Sequence, residues 1–329
     1  MKQRNTTLDI MRGIAILLIV LFHCFVRETI DNPFNNIILI TTTSFSMVVF
    51  TVISGYVSFG KIQEDKYLSK KITKFILIIF FSAIIYWVWW LLFPNLSLLQ
   101  IKEGSFVQYY IFNMQNGFVN LVTWYLFMIV QCYILAWIIE KIASKSKRLN
   151  STLLISIFII IIEVLPYHNT GFDLLKWYSI FYFAGYLLAR YGKEFFKYNK
   201  ILYISLLLFP LYVYLTKETL LYQPNENYVA FSASIGMTLG KLAMAILGTM
   251  FVYSISRIIS KVKHLNNILC FIGVYSLGIY LIHPLFAGVS NNYWVSFLIT
   301  TLLSIAIYWL FDKCYKKILI WKCERKDGK

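Results

Sequence analysis

Charge is what this sequence has least of. Only 14% of its 329 residues are Asp, Glu, Lys or Arg, against roughly 25% in soluble domains. That excludes an ordinary soluble enzyme, because there is too little polar surface to cover a body of this size. Acid is the scarcer sign, 15 Asp and Glu against 31 Lys and Arg. In a soluble protein the net +16 would point to nucleic acid. Here no basic face with interleaved aromatics separates from the apolar runs, so no nucleic-acid partner is expected. Cys24, Cys132, Cys270, Cys314 and Cys323 are odd in number and scattered, with neither a CxxC nor a zinc spacing. They exclude a disulfide-stapled module, give no metal site and read as small apolar fillers. There is no internal repeat, no low-complexity tract and no separate soluble domain.

What the chain has instead is hydrophobicity: 59% of residues are apolar and the mean hydropathy is +0.67. Apolar runs predict helices over 10–27, 37–59, 74–93, 118–139, 152–165, 174–190, 201–216, 234–256, 268–288 and 293–311. The expected fold class is therefore an all-α integral membrane protein, a bundle of about ten transmembrane helices with lipid as its main solvent. The fifth and seventh runs are shorter than the roughly 17 residues a span needs. Pro33, Pro94, Pro166 and Pro224 fall between runs, whereas Pro210 and Pro284 fall inside them and are expected to bend a helix.

The basic residues fix an orientation. Counted over alternate connections, 25 Lys and Arg lie on one side and 4 on the other, with Arg12 and Lys241 at or within helices. The positive-inside rule then puts both termini in the cytoplasm. On this reading residues 1–311 form the transmembrane domain and 312–329 a basic cytoplasmic tail. The first run is not a signal peptide, since it carries an Arg and a His and no small-residue cleavage site follows. The outer loops are short, so chemistry belongs within the bundle or at its mouths.

Polar groups inside a span mark function by default. Arg12 and His23 are eleven residues apart. Eleven steps of about 100° bring them to the same helix face, with a rise of about 16 Å between them. A cation at the mouth with an imidazole deep below it suits a substrate with an anionic head and a long arm, the shape of a coenzyme A thioester. A snorkelling Arg and a His bonded across the bundle would give the same pattern. Asp9, three residues before Arg12, can pair with it. Ser54 and Gly55 let backbones approach closely. The lysine-rich connection that follows offers Lys71 and Lys74, one turn apart, as phosphate-binding point charges, although positive-inside topology also accounts for them. His283 precedes Pro284 near the outer end of the ninth run, either at a working site or as a packing histidine at a kink. Glu163 is the only acid inside a predicted span and can serve an outward-facing site or reach the interface.

Taken together, these residues resemble a known signature. An Arg, ten residues and a His after an apolar start (Arg12, Gly13, His23) resemble the opening helix of the acyltransferase 3 family of multi-pass membrane acyltransferases. Four further segments are similar in order and spacing: SGY at Ser54–Tyr56, WYL at Trp124–Leu126, FYFAGYLL at 181–188 and YLIHP at Tyr280–Pro284. The resemblance covers essentially the whole chain. It implies about ten helices, an acyl-CoA donor (acetyl-CoA by default) reaching in from the cytoplasm, and O-acylation of a glycan or lipid-linked sugar. It makes His23 the catalytic histidine and Arg12 part of the donor site. The family often carries an Arg-x2-Arg pair where Lys71 and Lys74 stand here. Some members add a C-terminal extracytoplasmic esterase-like domain. About 18 residues follow the last predicted span, so transfer is expected to finish in the bundle or on a separate partner, such as a polysaccharide-assembly protein.

Sequence leaves open whether His23 acts as general base or as transient acyl carrier. Trp124, Tyr125 and Tyr280 offer rings for sugar stacking, though packing explains them equally well. No metal is expected. The Lys-, Ile- and Asn-rich composition points to a bacterium, and so to its plasma membrane. The competing reading is a multi-pass transporter or flippase of a sugar or lipid-linked saccharide. Against it stands the lack of repeat-related halves and paired broken helices.

Overall fold

The computed structural model describes residues 5–25, 33–93, 105–115, 123–145, 150–164, 171–192, 204–212 and 235–327; within these, the side chains of 33–45, 164, 171–173, 235–242, 244–245 and 315–327 are not described. The described residues are helical almost throughout, with no strand among them. The helices are α1 (Thr6–Phe25), α2 (Pro33–Ser58), α3 (Asp65–Leu92), α4 (Phe106–Gln115), α5 (Trp124–Lys145), α6 (Ser151–Val164), α7 (Gly171–Tyr191), α8 (204–212), α9 (Ile235–Ile259), α10 (Lys263–Val274), α11 (Ser276–Ile282) and α12 (Tyr293–Asp327). Every predicted apolar run overlaps one of them. Among the described residues four helices are long and apolar enough to cross a membrane: α1, α3, α5 and α12 over Tyr293–Cys314. α10 and α11, bent by 60° across their break, make a fifth if counted as one broken span. Lys241 and Cys323 carry side chains outside the described set.

Burial sorts these spans into an inner and an outer set. The most apolar stretch of α1 is 56% buried and that of α5 50%, whereas those of α3 and α12 are only 22% buried. α1 and α5 are thus central. α3 turns Ile76, Leu77, Phe81 and Ile85 outward, each at least half exposed. In water such a face would be an aggregation site, and in lipid it is the expected surface.

Two glycine contacts set how closely the inner helices pack. A Cβ on Gly55 of α2 would land on the carbonyl oxygen of Tyr182 in α7, and one on Gly185 of α7 on the carbonyl oxygen of Val52. α2 and α7 therefore cross backbone to backbone. A second lock joins α1 to α10, where a Cβ on Gly13 would meet the carbonyl oxygen of Leu269 and one on Gly273 that of Asp9. Without a hydrophobic drive between helices in lipid, such close approach is what holds a bundle together. The close approach expected at Gly55 is therefore present.

The expected bend at Pro284 is displaced. The sharp break of the ninth run comes at Tyr275, ahead of the proline, where the Tyr275 N–H turns back to the carbonyls of Phe271 and Gly273. At Pro284 the α-helix has already given way to a 3-10 turn, His283–Leu285, so the missing N–H costs little there. The carbonyls freed beyond it are taken up by α12: the Ser296 hydroxyl donates to Ala287 at 2.8 Å and the Thr300 hydroxyl to Phe286 at 2.9 Å. α4 lies inside the expected outer loop, and α12 runs on past residue 311 to Asp327.

One charged knot ties α5, α6 and α7. Glu140, buried near the end of α5, accepts from Gln63 Nε2 and from the Tyr186 hydroxyl, each at 3.0 Å. Arg190 of α7 sits 3.8 Å away and also bonds Ser151 of α6. Glu140→Ala would leave the Tyr186 hydroxyl and Gln63 amide without their acceptor and the Arg190 charge uncompensated. Each lost partner costs about 1–3 kcal/mol. The expected result is a clearly lowered melting temperature for the detergent-purified protein, and an unchanged one would contradict the role given to this carboxylate.

Candidate active site

The polar residues of α1 define the site's long axis. Arg12 lies on the second turn of α1, and its Nη1 is 3.3 Å from Oδ1 of Asp9, the pairing expected at this i, i+3 spacing. Asp9 is buried, while Arg12 remains about one third exposed, so the guanidinium is steered on one side and open on the other. It opens into a cavity of about 350 Å³ lined by α1, α2, α3, α5, α10 and α11. Lys71 of α3 lines the same cavity, with its ammonium 5.7 Å from the Tyr67 ring and 5.9 Å from the Phe75 ring. Two cations from different helices thus face one cavity, which suits an anionic group.

Hydroxyls and aromatic rings also line it. Ser54 and Tyr125 both reach the cavity and their hydroxyls are 2.8 Å apart. The Tyr125 hydroxyl donates to the Phe50 carbonyl at 3.2 Å. A phenol has one proton, so the Ser54 hydroxyl is the donor of the pair. Tyr280 of α11 closes the far side, edge-on to Tyr125 with ring centroids 5.8 Å apart. Gly273 and Val274 from α10 and Ser276 and Leu277 from α11 line the cavity on either side of the break at Tyr275.

His23 lies beyond this wall. On α1 the lining ends at Ile19, one turn short of His23. The ring centroid of His23 is 4.9 Å from that of His283, and His283 in turn is 5.9 Å from Tyr280. His23 is therefore not among the residues that line the cavity carrying Arg12. The cavity carries Arg12 and is bounded by Tyr280, whose ring lies 5.9 Å from that of His283.

Of the residues singled out from sequence, Arg12, Lys71, Ser54 and Tyr280 line one cavity, and His23 and His283 meet beside Tyr280. Trp124 lies one ring further out, 5.0 Å from Tyr178 and 6.3 Å from Tyr125 by centroids, and is not part of the lining. Lys74 is exposed and belongs with Lys70 to a different groove, of about 780 Å³, between α3, Leu281 and Phe311. Three residues beyond Lys71, it has turned out of the cavity. Glu163, near the far end of α6, lines neither space. Sequence reading missed Ser276 and Tyr133 as cavity residues. The available signal for Ser276 was a hydroxyl within the apolar stretch 275–282. Among the described residues no group of three or more His, Cys, Asp or Glu side chains could hold a metal ion. Cys24 and Cys132 are free, buried thiols, as expected of fillers.

No curated protein and no solved structure matches the chain. Residues 5–313 match the profile of an acyltransferase domain, Acyl_transf_3. This match includes the residues of the cation-lined cavity and of the histidine pair, and it favours group transfer over transport. The chain belongs to the acyltransferase 3 family and is a membrane acyltransferase.

Proposed function

We propose that this protein moves an acyl group, acetyl in the first instance, from cytoplasmic acyl-CoA to a hydroxyl of a cell-surface or lipid-linked glycan. The observation that carries this reading is the cavity with Arg12 and Lys71 at its basic end and Tyr280, backed by the histidine pair, at the other. In this reading ten helices cross a bacterial plasma membrane with both termini in the cytoplasm. The donor phosphates rest on Arg12 and Lys71 and the pantetheine arm points along α1 toward His23. The distance fits, since the rise from residue 12 to residue 23 is about 16 Å.

Two routes are open at His23. As general base it takes the acceptor hydroxyl proton while the oxygen attacks the thioester carbonyl; the C–S bond breaks and the proton returns to the leaving thiolate. As acyl carrier, a ring nitrogen attacks first, CoA leaves as thiol, and the acyl-imidazole is then opened by the acceptor hydroxyl. Both need one ring nitrogen with a free lone pair. The acceptor comes from the outer face or sideways from the bilayer, and polysaccharide-assembly proteins are its natural suppliers.

The direct test is transfer of label from radiolabelled acetyl-CoA to glycan extract by the purified protein in vesicles. Label on the glycan supports the reading; glycan crossing the vesicle wall unmodified defeats it. The cavity makes a finer prediction. Arg12→Ala and Lys71→Ala should each raise the KM for acetyl-CoA, by about tenfold for a lost charge-assisted contact of about 1.5 kcal/mol, with a smaller change in kcat. Lys74→Ala should leave that KM unaltered, because Lys74 faces the separate groove. Equal effects of Lys71→Ala and Lys74→Ala would contradict the assignment of the donor head to this cavity.

A further inference from the structure

His283 opens the 3-10 turn that follows α11. It is fully buried. Its Nδ1 lies 3.2 Å from the carbonyl oxygen of Ile279. A carbonyl oxygen can only accept, so Nδ1 carries the proton, and in the neutral ring Nε2 is left as a bare lone pair. That Nε2 is buried and has no hydrogen-bond partner among the described residues. A buried acceptor without a donor is destabilising, and neither the Ile279 bond nor the 3-10 turn calls for it. The ring against which His283 rests is that of His23, tilted by 45° with centroids 4.9 Å apart. At that separation a nitrogen of each ring can come within hydrogen-bond distance, on the order of 3 Å, once the His23 ring turns. Hydrogen bonds of this kind are often unmade in an empty site and tighten when it fills.

We infer that His283 is a positioning residue for His23: its Nε2 accepts the N–H of the His23 ring when the donor is bound, and so leaves the opposite nitrogen of His23 with its lone pair toward the reacting carbonyl or hydroxyl. This rests on the reading of His23 as the reacting imidazole, and it serves the general-base and acyl-carrier routes alike. It also gives the 3-10 turn a function. By ending α11 at Ile282, the turn carries the His283 ring toward α1 while the Ile279 bond fixes which nitrogen is bare.

Two conservative variants separate this role from a merely structural one. Asn in place of His283 keeps an N–H where Nδ1 stood and can hold the Ile279 carbonyl, but it has no acceptor at the Nε2 position. Gln in its place reaches that position with an amide oxygen. We expect His283→Asn to lose at least about tenfold in kcat, with the acetyl-CoA KM unchanged, and His283→Gln to keep most of the wild-type kcat. A His283→Asn protein with wild-type kcat, or one more active than His283→Gln, overturns the inference. If neither variant is active, the wild type decides. In full-length protein labelled with 15N-histidine in bilayers with bound acetyl-CoA, proton-detected NMR should show a hydrogen bond linking the His23 and His283 rings; no such link overturns the inference. A His23→Ala protein with normal transfer would defeat the underlying reading instead. An inactive His23→Ala beside a fully active His283→Asn would remove only the partnership.

Discussion

Replacing His23 by alanine is expected to abolish acyl transfer while leaving an inserted, folded protein. General acid–base catalysis by one positioned side chain contributes about 10²–10⁴-fold in rate. If His23 carries the acyl group covalently, its removal closes the route altogether. Folding should survive because α1 is anchored elsewhere. Ile16, Ile19 and Val20 are buried, and Gly13 locks against α10. The contacts described for the His23 ring are with Phe22 and His283, at 5.0 and 4.9 Å. The measurement pairs label transfer with elution profile and melting temperature in one detergent. Transfer at near wild-type rate by a monodisperse His23→Ala protein would reject His23 as the reacting group.

The second large effect is expected on the fold. Gly185→Val should prevent accumulation of a monodisperse protein, or lower its melting temperature more than any other single change proposed above. A Cβ at this position would collide with the carbonyl carbon and oxygen and the Cα of Val52. These are backbone atoms that no rotamer change can move. Overpacking of a core by a methyl or two costs about 1–3 kcal/mol, occasionally more, and here the strained contact is the crossing point of α2 and α7. Gly60, with φ 74° and nothing near its Cβ position, provides the control. Gly60→Ala should cost only the strain of a left-handed backbone, about 1 kcal/mol. If Gly185→Val and Gly60→Ala behave alike, the backbone crossing is not what holds these two helices.

The positions of the helices were readable because lipid leaves a chain few choices. An apolar run long enough to span has to satisfy its own backbone, and every run read from the sequence meets a helix. α4 escaped because it is short and carries Gln108, Asn113 and Gln115. Its signal was nonetheless present in Ser105 and Gln108, whose side chains each take a bond with the other's backbone N–H or hydroxyl, a capping box. Glu140 escaped because the predicted run stopped at residue 139, although the helix carries it onward to meet Tyr186 and Arg190. The i, i+11 alignment of Arg12 and His23 rests on helix geometry alone and was available from spacing. Periodicity could not show where a cavity wall ends between two residues of one face. Lys71 and Lys74 therefore read as a pair, yet they serve different spaces. The same limit hid the neighbour of His23, because 260 residues separate it from His283 and only tertiary packing brings two such rings together.

The joint at Tyr275 gives the two halves of the broken span different chief neighbours. α10 is clamped to α1 through Gly13 and Gly273, and α1 carries Arg12. α11, which carries Tyr280, packs on α12 as well as on α1, and the Tyr308 ring of α12 lies against Gly278. A small change of angle at the joint would act as a lever, swinging the Tyr280 shutter relative to the basic vestibule without disturbing either glycine clamp. Where the Tyr280 ring rests is thereby set at a different joint from the one that seats Arg12.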